Sequence, residues 1–154
     1  MAKAIVKMPE DFLKKVSRLE EKTDDIMETV LEAGGEVVLS KVQSNLNAVI
    51  DKDLKHTSQS TGELASSLGM SPAKVDRKGV HNLKIGFNEP RRKQYAAKGK
   101  RSYYKITNAM IANVLEYGKH GQPPKPFLKP ARRTARKPCI ETMQKKLDEE
   151  IDKL

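Results

Sequence analysis

The sequence predicts an α+β fold with a long N-terminal helix, a small antiparallel sheet and a C-terminal helix packed on the sheet. Three observations lead there. Phe12, Val16, Leu19, Thr23, Ile26, Val30, Ala33 and Val37 recur at alternating spacings of four and three, which lines one face of a helix. A middle stretch holds short apolar segments broken by a glycine turn. A later run, Leu128, Ala131, Ala135, Cys139, Met143, Leu147, Ile151 and Leu154, returns to helical spacing.

The first helix opens on Glu10 and Asp11, as the helix dipole favours, and its stripe continues weakly through Val42, Leu46 and Val49 to Ile50. Gly34-Gly35 interrupts it, at roughly 1 kcal/mol per glycine relative to Ala. The pair marks either a kink or close-packing point in one helix, or a break between two. At about 1.5 Å per residue, Asp11 to Asp51 would span on the order of 60 Å. A chain of 154 residues cannot cover that length, so part of the stripe is expected to meet another subunit.

After a polar stretch, His56 to Ser60, the run Ser60-Thr61-Gly62-Glu63 reads as an S-x-x-E capping box. It predicts a short helix from Gly62 to Leu68, with Leu64 and Leu68 facing the core and Gly69 as a left-handed C′ residue. Met70 to Asp76 and Val80 to Phe87 then form a hairpin around Arg77-Lys78-Gly79, with positive φ at the glycine. Pro72 marks the first segment as an edge strand, and Leu83, Ile85 and Phe87 alternate onto one side. Within a single structural domain, residues 88–105 are expected to be a mobile basic loop, with Tyr103, Tyr104 and Ile106 offering a further strand at its end. Asn108 is placed to cap a helix carrying Met110, Ile111, Val114, Leu115 and Tyr117, closed by Gly118. Three prolines keep Lys119 to Pro126 irregular, and Pro138 should kink or restart the last helix.

Composition narrows the function. Of 154 residues, 30 are Lys or Arg and 20 Asp or Glu, for a net charge of +10; hydrophobic residues make up 37%, aromatics 5%, and Trp is absent. The core is therefore aliphatic and thin, favouring an elongated or oligomeric protein over a large compact enzyme. No apolar run approaches the ~20 residues that span a bilayer, and Lys7 and Pro9 break the start before a signal peptide could form. The single cysteine, Cys139, suits a reducing cytosol. Charge is unevenly spread. Glu10 to Glu36 holds nine acids against four bases, while Arg91 to Lys105 and Lys119 to Lys137 each hold seven bases and no acid. Glu141 to Leu154 turns acidic again. Such a pattern suits either a polyanion-binding surface or complementary faces of a homo-oligomer.

No catalytic pattern is present in the sequence. His56, His81 and His120 are isolated, no phosphate-cradling glycine motif occurs, and Cys139 lies on a helix stripe as a small hydrophobe. No enzyme, metal or cofactor is expected. Arg91, Arg92, Lys93, Lys98, Lys100 and Arg101, interleaved with Tyr95, Tyr103 and Tyr104, suit phosphate contact and base stacking, so nucleic-acid binding stays open.

Three stretches in order carry a family resemblance: Thr61-Gly62-Glu63-Leu64-Ala65-Ser66-Ser67-Leu68, then Asn82-Leu83-Lys84-Ile85-Gly86-Phe87, then Val114-Leu115-Glu116-Tyr117-Gly118 followed by Lys125-Pro126-Phe127-Leu128-Lys129-Pro130-Ala131. Together they resemble the tail-completion (minor tail, neck) proteins of long-tailed siphophages and prophages. Lys119 stands where that family has Thr, and the basic insert from Arg91 to Lys105 is longer. The resemblance implies a non-enzymatic virion protein, made in the host cytoplasm, that completes the tail and helps join it to the capsid. It implies a homo-oligomeric ring contacting tail terminator, tail tube or head-completion proteins, with at most nonspecific DNA contact and no membrane. The signature residues Thr61, Gly62, Leu64, Gly86, Glu116, Tyr117, Gly118, Pro126, Phe127, Leu128 and Pro130 are then structural or subunit-interface positions. Pro126 and Pro130 pin the chain so that a buried Phe127 anchors the last helix, while Glu116 and Tyr117 hold the turn. Arg91, Arg92 and Lys93 are expected to meet the acids Glu20, Glu21 and Asp24 of a neighbouring subunit, or else DNA in the channel.

Overall fold

Gly34 and Gly35 do not break the first helix. In the computed structural model, which describes residues 10–50, 62–89, 95–96, 103–104 and 107–153, α1 runs unbroken over Glu10–Val49. The glycines are there for close approach. A Cβ on Gly34 would lie 2.5 Å from Met143 Cγ and 3.2 Å from Cys139 Sγ; one on Gly35 would lie 2.5 Å from Met70 Sδ and 3.0 Å from Leu83 Cδ2. Here α1 is gripped by the last helix on one side and the hairpin on the other, which offsets the low helix propensity of the pair.

The last helix, α4, spans Leu128–Asp152 and lies antiparallel along α1: Asn45 donates to the Phe127 carbonyl at 3.2 Å, and Gly34 faces Cys139 and Met143 farther along. The buried positions of α1 are Ile26, Val30, Gly34, Gly35, Val42 and Leu46; with partly buried Val38, all but Gly35, which faces the hairpin, form a row spaced by four. The alternating stripe drifts off this row, so Ala33 and Val37 are only half-buried. Helix packing explains the shift. Ala131, Ala135, Cys139 and Met143 on α4 form a row of the same spacing, and rows of fours pack into one another's grooves. Pro138 lies inside α4 on its exposed side and the helix does not restart there; solvent can serve the carbonyl that the missing N–H leaves free.

The short helix α2 covers Glu63–Ser67. Gly62 at φ 72 is its N-cap and makes no side-chain cap bond, so Glu63 opens the helix and is not the third residue of a capping box; Ser60 lies outside the described residues. Gly69 is not a left-handed cap either. The chain turns extended at Leu68 and passes directly into strand β1, Leu68–Met70.

The expected hairpin forms, divided by a bulge. β1 pairs with β4 (Ile85–Phe87) through Leu68↔Phe87, Gly69↔Gly86 and Met70↔Ile85, while β2 (Lys74–Val75) pairs with β3 (His81–Asn82) through Lys74↔Asn82 and Val75↔His81. Three residues, 71–73, thus oppose two, 83–84. Ser71 secures the offset: its N–H donates to the Lys84 carbonyl at 2.8 Å, and its Oγ accepts from Lys84 N at 3.0 Å. Pro72, with no N–H to give, falls within the bulge. At the tip, Asp76 accepts from the backbone of Lys78 and Val80, and Gly79 has φ 77. Within the stretch expected to be loop, β5 (Tyr95–Ala96) pairs with β6 (Tyr103–Tyr104). The remainder of 90–106 lies outside the described residues.

Helix α3 spans Asn108–Tyr117. Its cap is Thr107, whose hydroxyl accepts from Met110 N at 3.1 Å, and not Asn108. Asn108 is instead buried in the first turn and donates to the Asn88 carbonyl at 2.8 Å, tying α3 to the end of β4. The core gathers Val42, Leu46, Leu64, Ala112, Phe127 and Ala131, with one ring, Phe127, at its centre.

Candidate functional site

The conjunction of α3 and the start of α4 is the most organised polar site among the described residues. A helix start leaves several backbone N–H groups without partners, normally served by a Ser, Thr, Asp or Asn at the N-cap. At α4 the N-cap is Phe127, which has no acceptor. The acceptor comes from eleven residues upstream: Glu116 Oε2 accepts from Phe127 N at 2.7 Å and Leu128 N at 2.8 Å, and Oε1 accepts from Lys129 N at 2.9 Å. The next residue is Pro130, which has no N–H. One carboxylate therefore satisfies every donor the first turn presents, at the positive end of the helix dipole. Glu116 is only 5% exposed. Burial pushes its carboxyl pKa up, but the three backbone donors and the charge of Lys129 outweigh that and leave it below the ordinary glutamate value.

The chain must reverse within a short span to bring Phe127 beside Glu116. Gly118 ends α3 at φ 78, Lys119 and Gln122 exchange backbone bonds at 3.0 and 2.9 Å, and Lys125 N donates to the Leu115 carbonyl at 2.7 Å. A Cβ on Gly118 would meet Gln122 O at 2.8 Å and Pro124 N at 2.9 Å, both backbone; one on Gly121, at φ 76, would meet nothing. Gly118→Ala should thus cost more stability than Gly121→Ala, which carries only the left-handed strain of about 1–2 kcal/mol. Urea unfolding of the two variants checks this, and equal costs would remove the steric argument.

The signature residues divide sharply. Phe127 is fully buried, as its sequence context predicts, and meets Phe87 edge-to-face with ring centroids 6.3 Å apart. Leu64 is buried in the same cluster, Leu128 packs against it, and Pro126 and Pro130 are exposed. Tyr117 is 76% exposed and does not hold the turn; Glu116 holds the following helix instead. Gly62 caps α2 and Gly86 pairs with Gly69 across the hairpin. Thr61, Arg91, Arg92, Lys93, Lys98, Lys100 and Arg101 lie outside the described residues. Among the described residues no group of three or more His, Cys, Asp or Glu could hold a metal ion. Cys139, its thiol pKa raised by burial, packs 3.8 Å from Met143 Sδ.

Residues 10–118 match a family model described as "Bacteriophage HK97-gp10, putative tail-component". The chain belongs to this HK97-gp10-like family. No curated protein and no solved structure matches it. The match takes in α1, the hairpin, α3 and Gly118, and so includes Glu116 but ends before the α4 start that Glu116 caps. The chain is accordingly a phage tail component. Among the described residues no helix is long and apolar enough to cross a membrane.

Two further stretches of this tail component are solvent-exposed among the described residues. The solvent side of α4 carries Lys129, Arg132, Arg133, Arg136 and Lys137, all exposed. Among the described residues, only Lys137 of these forms an ion pair, with Glu141 at 3.7 Å. The first turns of α1 have no buried side chain before Ile26 among those described, and Val16 is 46% exposed.

Proposed function

We propose that this tail component acts at the head–tail interface as a homo-oligomer, completing the tail and helping to join it to the DNA-filled capsid through other neck and tail proteins. Membership of the family carries the reading. A helix of 40 residues, far longer than the 25-residue helix that covers it, supports a part built for assembly. Its role is assembly and not catalysis; the one buried carboxylate among the described residues is fully engaged by backbone donors. Deleting the gene from a phage or inducible prophage that carries it should leave DNA-filled heads and unjoined tails. Adding the purified protein to that lysate should restore infectious particles. Joined particles in the deletion, or heads empty of DNA, would overturn the assignment.

The basic face of α4 favours a second reading, contact with DNA. Phosphate neutralisation releases counterions, so such binding weakens steeply with salt. Duplex held at physiological salt, and lost when Arg132, Arg133 and Arg136 become Glu, would promote this reading over the first.

A further inference from the structure

We infer that the first turns of α1 pair in parallel with the same turns of a second copy of this chain. The inference deepens the self-assembly part of the proposed role and rests on it only there. Written as heptads, the uncovered stretch puts Val16 and Thr23 at a and Leu19 at d, with Phe12 at the preceding d by sequence. At Ile26 and Val30 the same seam is buried by the chain's own fold, before it drifts to half-buried Ala33 and Val37, and His81 Nε2 meets Asp24 at 3.2 Å where that cover begins. Before it, Val16 and Thr23 are exposed and Leu19 half-exposed, so a seam that is core at Ile26 and Val30 runs out into solvent toward the helix N-terminus. A helical extension without tertiary cover is marginal in water, and most helix stability comes from packing an apolar face.

The flanks of the seam select the occupant and its direction. Of the e positions Glu20 is charged, between Leu13 and Met27, and the g positions carry Lys15 and Lys22, so the two flanks bear opposite charge in this heptad. Lys15 and Glu20 are both exposed, and neither has an ion-pair partner among the described residues. Parallel pairing sets each g against the e five residues on in its neighbour, so Lys15 meets Glu20 of the second copy, twice by symmetry. Antiparallel pairing would set g against g, Lys15 against Lys22, and repel. β-branched Val16 and Thr23 at a with Leu19 at d favour two strands. The Thr23 hydroxyl already donates to the Leu19 carbonyl at 2.6 Å, so covering it leaves no polar group unpaired.

The test uses the full purified chain with no other phage component, in a Cys139→Ala background. Val16→Cys should oxidise readily to a disulfide-linked dimer, because a positions of a parallel pair face each other. Glu21→Cys, on the far side of the helix, should not. In the otherwise native chain Glu20→Lys should weaken the dimer about tenfold by sedimentation, as like charges replace attraction, and Lys15→Glu with Glu20→Lys should restore it. Equal cross-linking of both cysteine variants, a monomer at all concentrations, or association that Glu20→Lys leaves intact and Val16→Cys cannot trap would each overturn the inference; the last would move the contact elsewhere, such as to the basic face of α4. A chain that pairs this way yet proves dispensable for joining heads to tails would leave the pairing standing and refute only the proposed role.

Discussion

Phe127→Ala should destabilise the protein by about 3–5 kcal/mol, the usual cost of emptying a buried phenylalanine site. Phe127 is the largest fully buried side chain among the described residues and shares the core cluster with Val42, Leu46, Leu64, Ala112 and Ala131. Its ring leans edge-on against Phe87 of β4, a contact worth roughly 0.5–1.5 kcal/mol beyond burial. Val42, Leu46, Leu64 and Ala112 of the same cluster come from three helices, and none is large enough to close the hole. Since domains of this size are stable by only about 5–15 kcal/mol, the variant should bind a hydrophobic dye and lose its cooperative thermal transition. Phe127→Leu keeps most of the volume and should recover more than half of the loss. A Phe127→Ala protein that melts like the parent but fails in head–tail joining would make this residue an external contact.

Glu116→Ala is expected to cost about 3 kcal/mol, because it strips three backbone donors, one buried and two half-buried, of their acceptor. Glu116→Gln should cost less, about 1–2 kcal/mol. Its oxygen can still serve Phe127 and Leu128, but its amide would face the N–H of Lys129 and cannot accept from it. The two variants separate shape from charge, and pH separates them further. The Glu116 pKa is lowered on folding, so the native state binds its proton more weakly than the unfolded chain does. The stabilisation is therefore complete above the unfolded value near 4.5 and disappears as pH falls through the lower folded value. Urea midpoints of the parent and Glu116→Gln should differ by a constant amount from pH 7 to about 5, then converge below pH 4. A gap that persists unchanged at pH 3 would mean the negative charge contributes nothing.

Periodicity located the helices in the sequence because each must bury one face, and Gly79 marked its turn because positive φ excludes most other residues. Phe127 was legible as a buried anchor from the prolines on either side of it. Two local signals misled. Asn108 and the Ser60-Glu63 spacing both look like caps, yet Thr107 caps α3 and Gly62 stands before α2, since any short polar residue near a helix start fits the pattern.

The sequence by itself determined the order of elements, the thin aliphatic core, the hairpin and its turn, and the surplus of helix over the cover available to it. These follow from local spacing and composition, which act over a few residues at a time. Only the tertiary structure decided which row of α1 is buried, because α4 carries a row of fours and the two sets of ridges must interlock. It also decided what Glu116 does. A capping pair within one helix lies three residues apart and can be seen in a sequence, but this acceptor and its donors are separated by a reversed loop and stand in different helices. A hydrogen bond depends on distance in space, and that distance exists only once Gly118 has turned the chain and Phe127 has found the core.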